Sequence, residues 1–478
     1  MVMERFHVVV VGGGIAGLAA AWHLRNDRIR VTVLDGAARI GGKLVATDVA
    51  GVPVDAGAEA LLARRPEGVE LARLAGLGGD LVDPGTTSAS ILSRGELRPM
   101  PKGQVMGVPS DLVALARSGV LSPAGLARVP LDQVLPATLV TTDVSVGSYI
   151  RARMGDEVVD RLVEPLLGGV YAGFADRLSL EATMPAVAAA ARSEASLLRA
   201  VREITGAAPQ NPGHVFTSLK NGMGSLPPAL AAASGAQVRT GVMVRELSRT
   251  PSGWRLTTGP TRDEHTLDAD AVVVAVPATP AARLLDREVP KAAAELARIE
   301  YASMAIVTLA YPIEAFPQVP SGSGYLTPPV EGRAVKAVTF SSVKWPHLGG
   351  HGYVFVRCSL GRLGEERLLQ RDDAELVALA MNEMTEIMGV RGLPADTRVT
   401  RWGGALPQYD VGHNDRVARV RAAVAAVPGL AVCGAAYDGV GIPATAATAR
   451  MAAARILDHL DPRAEWRHDG RHPAAQGA

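Results

Sequence analysis

The stretch Val8-Val9-Val10-Val11-Gly12-Gly13-Gly14-Ile15-Ala16-Gly17-Leu18-Ala19-Ala20-Ala21 is followed a few residues later by Val31-Thr32-Val33-Leu34-Asp35. Four consecutive valines suit a strand buried on both faces, and the Ala-rich segment after the glycines favours helix. Strand, glycine turn, helix, strand and terminal acid, in that order, form the dinucleotide-binding βαβ unit. Gly12 permits the tight turn, Gly14 lets a pyrophosphate approach the backbone, and Gly17 lets the helix pack closely on the strand. Gly13, Ile15 and Ala16 complete the turn, whose helix N-terminus offers free N–H groups and a positive dipole end to phosphate. Asp35 is placed to accept hydrogen bonds from the adenosine ribose hydroxyls. The unit alone leaves open whether the dinucleotide is FAD or NAD, and what chemistry it serves.

The chain of 478 residues is long enough for two or three domains. A net charge of +1 supplies no electrostatic argument for nucleic acid or an anionic membrane. Cys358 and Cys433 stand far apart with no C-x-x-C pattern, as in a chain kept in a reducing cytosol, and both read as small packed residues. No metal-ligand set is expected from the ten histidines. The first strand begins so early that no signal peptide is expected ahead of it. The longest apolar candidate, Ala182 to Ala191, contains Pro185 and stops at Arg192, well short of the roughly 20 residues that span a bilayer. A cytoplasmic protein without a transmembrane segment is expected.

Past Asp35 the sequence departs from a nicotinamide dehydrogenase, which would continue with further strand–helix units. Instead come Arg39-Ile40-Gly41-Gly42-Lys43 and Val52-Pro53-Val54-Asp55-Ala56-Gly57-Ala58-Glu59-Ala60. Paired glycines flanked by Arg39 and Lys43 suit a loop that brings backbone and positive charge to a second phosphate or a ribityl chain. The second segment reads as a short strand running into another close-approach glycine. These motifs together resemble the flavin amine oxidase and protoporphyrinogen oxidase superfamily, whose members bind FAD. That family usually carries Glu where Asp35 stands, and either acid can hold ribose hydroxyls.

The resemblance implies a Rossmann-like α/β FAD-binding domain joined to α+β parts: a helical insertion and a mixed-sheet substrate domain. The expected division is a discontinuous FAD-binding domain over 1–80, 212–298 and 398–460. A mostly helical substrate-covering region over 81–211 and a mixed α/β part over 299–397 would complete it, with a disordered tail over 461–478. In the helical region, Leu112 to Arg117 and Ser145 to Gly168 show helical spacing, and Ser145 is a candidate N-cap. Prolines from Pro99 to Pro136 break what lies between into short elements. A β meander is expected from Gln237–Thr240, Val242–Ser248, Trp254–Thr258 and Ala271–Val276. Further strands are expected over Ala305–Tyr311, Val335–Ser341 and Tyr353–Ser359, and a helix from Asp373 to Met388.

Pro165-Leu166-Leu167-Gly168-Gly169-Val170-Tyr171-Ala172-Gly173 and Leu178 to Thr183 resemble the porphyrinogen-oxidising branch, although Phe174 stands where that branch commonly has an acid. Leu219 to Pro227 and Ala405-Leu406-Pro407-Gln408-Tyr409 are similar to its patterns too. The resemblance places the backbone of Val244 against adenine and Trp402 beside the flavin ring; from the residues alone Val244 reads as plain core and Trp402 could be a core aromatic. Near the end, Gly434 to Pro443 leads into a helix expected from Thr445 to about Leu457. Its N-terminus, with Gly434, Val440, Gly441 and Ile442, would face the flavin pyrimidine.

Without a nucleophile elbow or metal set, the chemistry falls to the cofactor. The family members that the chain looks most like act on coproporphyrinogen III. The resemblance therefore implies its six-electron oxidation, with dioxygen as acceptor and hydrogen peroxide as by-product, in haem biosynthesis. A transient contact with the pathway's ferrochelatase would follow. The alternatives are protoporphyrinogen IX as substrate, an amine oxidase or desaturase, and a non-catalytic flavin-binding protein. Four propionates on coproporphyrinogen call for more cationic partners than two. Arg64, Arg65, Lys220 and Tyr171 are the substrate candidates, with Arg151, Arg177, Lys336 and Lys344 as further cations.

Overall fold

In the computed structural model of the chain, residues 5–138, 140–207 and 213–461 are described. The tail expected after Leu460 lies, from residue 462 on, outside the described residues. The opening stretch folds as β1 (Phe6–Val11), α1 (Ile15–His23) and β2 (Ile29–Leu34). The two strands pair in parallel with Val8 opposite Val31 and Val10 opposite Val33. They form the middle of a five-stranded parallel sheet in the order Gln237–Arg239, β2, β1, Ala271–Val274, Leu430–Val432. Its valines are buried because both faces are covered, which is what uninterrupted apolar runs require.

On one face pack α1 and the helices Pro66–Leu74, Leu226–Ser234 and Ile442–Leu460. On the other lie the helices Ala278–Leu285, Pro290–Ala297 and His413–Ala425, with a three-stranded antiparallel sheet. That sheet corrects the expected meander. Gln237–Arg239 and Ala271–Val274 belong to the parallel sheet, and the third antiparallel strand is His265–Ala269. This strand is exposed along most of its length, so it carries no apolar alternation to announce it.

A seven-stranded mixed sheet forms the second layer system. Its order is Asp396–Pro407, Tyr301–Pro312, Tyr353–Leu360, Val335–Phe340, Gly324–Leu326, Ser90–Ser93, Glu96–Pro99. Helix Asp373–Met388 covers one face, opened by a capping box between Asp372 and Glu375. Two features differ from expectation. The strands Ser90–Ser93 and Glu96–Pro99 come from a region read as mostly helical, and the sheet extends to Pro407, past 397. Arg94 and Gly95 both take positive φ (54° and 78°), the backbone of a two-residue hairpin turn. Pro99 is tolerated because its strand is at the sheet edge.

The helical body contains Val146–Met154, capped by the Ser145 hydroxyl, and Glu164–Tyr171. Ser145 to Gly168 is not one continuous helix: Gly155 (φ 92°) interrupts it, and a π-type turn at Val159–Val163 leads into Glu164–Tyr171. Arg153 ties the body together from its interior. It donates to Asp132 Oδ1 and to the carbonyls of Asp132, Pro136 and Ala195, all at 2.6 Å. Asp132 also accepts from Ser196 Oγ (2.6 Å) and the Leu198 amide (2.8 Å), so this buried ion pair is fully hydrogen-bonded. Among the described residues no helix is long and apolar enough to cross a membrane, and Cys358 and Cys433 are buried and unbridged.

Candidate functional site

A cavity of about 920 Å³ runs from the glycine turn of β1–α1 to the seven-stranded sheet. At the turn, Gly12 has φ +110°, and a Cβ there would sit 2.8 Å from the Ala275 carbonyl oxygen. A Cβ on Gly17 would run into the Gly12 carbonyl. At Gly14, by contrast, a Cβ would meet no protein atom within 4 Å, because that side opens into the cavity. Gly14 is also the N-cap of α1 and offers no side-chain cap, so the first-turn amides are left for a ligand. The loop at 39–43 lies directly beside it: the Gly41 amide donates to the Gly13 carbonyl (2.8 Å).

Asp35 ends β2 at the cavity wall. Its carboxylate accepts from the Gly13 amide (2.6 Å) and the Ala37 amide (2.8 Å), fixing the turn as well as facing the cavity. Arg39 does not line the cavity. It is exposed and donates to the carbonyls of Ile40 (3.2 Å) and Gly42 (3.0 Å), clamping its own loop. Lys43 does line the cavity, and burial lowers its pKa. Ile15, Ala16, Gly42, Ala58, Ala60 and Val244 also line it, while Gly13, Gly17 and Gly441 are not among its lining residues.

The segment Ala56–Glu59 is held from two sides. Trp402 Nε1 donates to the Ala56 carbonyl (3.0 Å), and Arg357 Nη2 donates to the Gly57 carbonyl (2.5 Å). Arg357 Nη1 and Lys344 Nζ both reach the Glu59 carboxylate, at 2.5 and 3.1 Å, and Ser341 Oγ donates to it at 3.0 Å. Burial alone would raise the Glu59 pKa, but the two cations outweigh it and hold the carboxyl well below the usual range. Glu59 is thus a buried anion between two cations.

At the far end, helix Ile442–Leu460 begins three residues earlier than expected, with Gly441 as N-cap and Pro443 in its first turn. Gly434 (φ 134°), Val440 and Ile442 line the cavity there. Tyr409 braces this loop, its hydroxyl donating to the Ala435 carbonyl (2.7 Å) and accepting from the Gly439 amide (2.8 Å). Two helix N-termini therefore converge on one cavity, together with a carboxylate at the β2 end.

The four substrate candidates do not line this cavity. Arg64, Arg65 and Lys220 are exposed, with Arg65 paired to Glu67 at 3.3 Å. Tyr171 is buried in the helical core against Tyr409, ring centroids 5.5 Å apart. Arg151 is taken by Asp160 (2.7 Å) and Asp176 (3.3 Å), and Arg177 by Glu300 (2.9 Å) and Asp410 (2.5 Å). Three cations the sequence reading overlooked do line it: Arg245, Arg283 and Arg357. Arg357 carried a usable signal, being a charge inside the apolar strand Tyr353–Leu360. Met304, Ile306, Thr339 and Ser359 join it on the same wall. His347 and His351 stand four apart, yet among the described residues no group of three or more His, Cys, Asp or Glu is placed to hold a metal.

An open glycine at an uncapped helix start, a strand-end carboxylate and a second helix N-terminus beyond fit a long dinucleotide laid through the cavity. The fold and site thus define a dinucleotide-dependent oxidoreductase with a substrate chamber under a mixed sheet. The chain belongs to the flavin containing amine oxidoreductase family, whose model matches residues 15–457, and FAD is its cofactor. It is 33% identical to the coproporphyrinogen III oxidase of Bacillus subtilis over 475 residues, covering 95% of this chain and 98% of that one. It is 40% identical to the coproporphyrinogen III oxidase of Mycobacterium leprae over 453 residues, covering 93% and 96%. Among solved structures, one from Exiguobacterium sp. 255-15 superposes with a TM-score of 0.83 at 31% identity, covering 95% of this chain and 99% of that one. Cyclohexylamine oxidase from Brevibacterium oxydans shares the fold, with a TM-score of 0.69 at 17% identity over 96% and 100% of the two chains.

Proposed function

We propose that this enzyme oxidises coproporphyrinogen III to coproporphyrin III in haem biosynthesis, passing six electrons to dioxygen and releasing hydrogen peroxide. The observation that carries the reading is the end-to-end match to enzymes of that name, on a cavity continuous from the dinucleotide turn to the sheet wall. Three two-electron steps on one flavin balance the reaction, each reducing one dioxygen to one hydrogen peroxide.

FAD supplies the hydride acceptor. The chain supplies position: Trp402 and Arg357 fix the Ala56–Glu59 backbone, and helix Ile442–Leu460 aims its positive end at the other side of the cavity. Met304, Ile306, Leu406 and Val170 provide an apolar wall suited to a flat macrocycle. The substrate's pyrrole lone pairs stabilise the cation left as hydride departs, and an adjacent pyrrole N–H then loses its proton to complete each two-electron step, so no strong protein base is needed. The enzyme would work in the cytoplasm and pass its product to the pathway's ferrochelatase.

The test is aerobic turnover of coproporphyrinogen III and protoporphyrinogen IX by flavin-loaded protein, followed by porphyrin fluorescence and peroxide release. A higher kcat/KM for coproporphyrinogen is expected. A clear preference for protoporphyrinogen would refute the substrate assignment, and no turnover of either would refute the reaction.

A further inference from the structure

Four neighbouring strands of the parallel sheet end at the main cavity. Leu34 and Asp35 line it from β2, Gly12 and Gly14 from β1, Ala275 and Val276 from the end of Ala271–Val274, and Gly434 from the end of Leu430–Val432. A dinucleotide whose adenosine ribose meets Asp35 and whose phosphates meet the start of α1 carries its next segment across the third of these strands. In FAD that segment is the ribityl chain with its phosphate.

Tyr301 stands at this third strand and lines the cavity. Its hydroxyl accepts from the Ala278 amide at 2.8 Å, and Ala278 is two residues beyond Val276. Val276 in turn lies against the glycine turn, its Cγ1 being 3.1 Å from where a Cβ on Gly12 would sit. Tyr301 also packs in the same cluster as Ala436, which lines the cavity beyond Gly434. Farther along its own strand, Tyr301–Pro312, Met304 and Ile306 reach the substrate wall. Tyr301 thus occupies the dinucleotide end of that strand.

The amide bond uses only one lone pair of the hydroxyl and leaves its proton free to donate. Among the described residues that proton has no acceptor. The amide it meets is the first of helix Ala278–Leu285, which has no side-chain cap of its own. An N–H at a positive helix end polarises the hydroxyl and makes it a stronger donor. Burial outweighs that amide and raises the Tyr301 pKa to about 12, so the donor persists at neutral pH. A half-buried O–H without a protein acceptor, on the wall of a cofactor cavity, has the chemistry of a ligand contact.

We propose that the Tyr301 hydroxyl binds FAD directly, donating a hydrogen bond to the ribityl-phosphate half of the dinucleotide. The assignment concerns the cofactor and holds whichever porphyrinogen is oxidised. Tyr301 binds and orients; it takes no part in the hydride step.

Titration of FAD into flavin-free Tyr301→Phe protein, beside wild type, tests it by the quenching of flavin fluorescence. The ring and its packing are kept, and affinity for FAD is expected to fall about 10-fold. AMP, the adenosine half of FAD, should bind the two proteins within about 2-fold of each other by calorimetry. Losing the bond to the Ala278 amide lowers the melting temperature with and without flavin, so the rise produced by a fixed FAD concentration is compared instead. That rise should be smaller in Tyr301→Phe, because ligand stabilisation follows affinity. Equal FAD affinity and an equal FAD-induced rise in the two proteins would overturn the contact. AMP weakened as much as FAD would also overturn it, since the hydroxyl would then serve the other half of the cofactor. These readouts use no porphyrinogen, so failure of the substrate assignment would leave them intact.

Discussion

Gly14 separates cofactor binding from folding in a way its neighbours cannot. Its backbone, at φ −72° and ψ 177°, is extended and open to any residue, and a Cβ there would touch nothing in the protein. Gly14→Val should therefore change the stability of the flavin-free protein by no more than about 1 kcal/mol, the combined scale of glycine entropy and N-cap preference. Its branched side chain, however, would project into the space where phosphate meets the uncapped start of α1. Losing two charge-assisted amide contacts of about 1.5–3 kcal/mol each amounts to roughly 3–6 kcal/mol, or a 10²- to 10⁴-fold loss of FAD affinity. The stabilisation that bound FAD gives the native state would vanish with it. The assay is the 450 nm absorbance per chain after purification, with thermal melts of both forms. Gly17→Ala is the contrast, because its Cβ collides with the Gly12 carbonyl and should destabilise the protein even without flavin. A Gly14→Val protein that keeps a full complement of FAD would refute the assignment of this turn.

Trp402→Phe removes the hydrogen bond to Ala56 while keeping an aromatic wall; FAD should be retained and turnover should fall, read by the flavin spectrum beside steady-state kinetics. Arg153→Met leaves Asp132 buried without its cation and should cost about 3–5 kcal/mol in denaturant unfolding. Burial raises the Glu164 carboxyl to about 7, against one hydrogen bond from the Ala175 amide. The native state then binds more protons than the unfolded chain between pH 4.5 and 7, so this group's contribution falls as pH rises through that window. Glu164→Gln should remove that slope, gaining up to about 3 kcal/mol on wild type between pH 5 and pH 8 in urea melts; parallel pH profiles of the two proteins would contradict it.

What could be read from the chain, and what could not, follows the range of the interactions. The βαβ unit announces itself because its constraints are local: Gly12, Gly14 and Gly17 each answer a steric demand a few residues away. The helix Asp373–Met388 was equally legible, with its capping acid and amphipathic run side by side. The hairpin Ser90–Pro99 was not, because its strand partner is Gly324–Leu326, more than two hundred residues on, and its prolines look like breakers until the edge position is known. The substrate cations failed for a different reason. An arginine on the surface and one lining a cavity are the same letter, so Arg64 and Arg65 drew notice by proximity to the glycine motifs while Arg357 did not. The discriminating signal is context: Arg357 and Lys336 are charges inside strands otherwise built for a core. Burial of such a residue is compensated by a partner or relieved by a pKa shift toward the neutral form. Arg357 finds Glu59; Lys336 finds none within the protein. That difference makes one a charged brace for the cofactor segment, while burial lowers the pKa of the other to about 7.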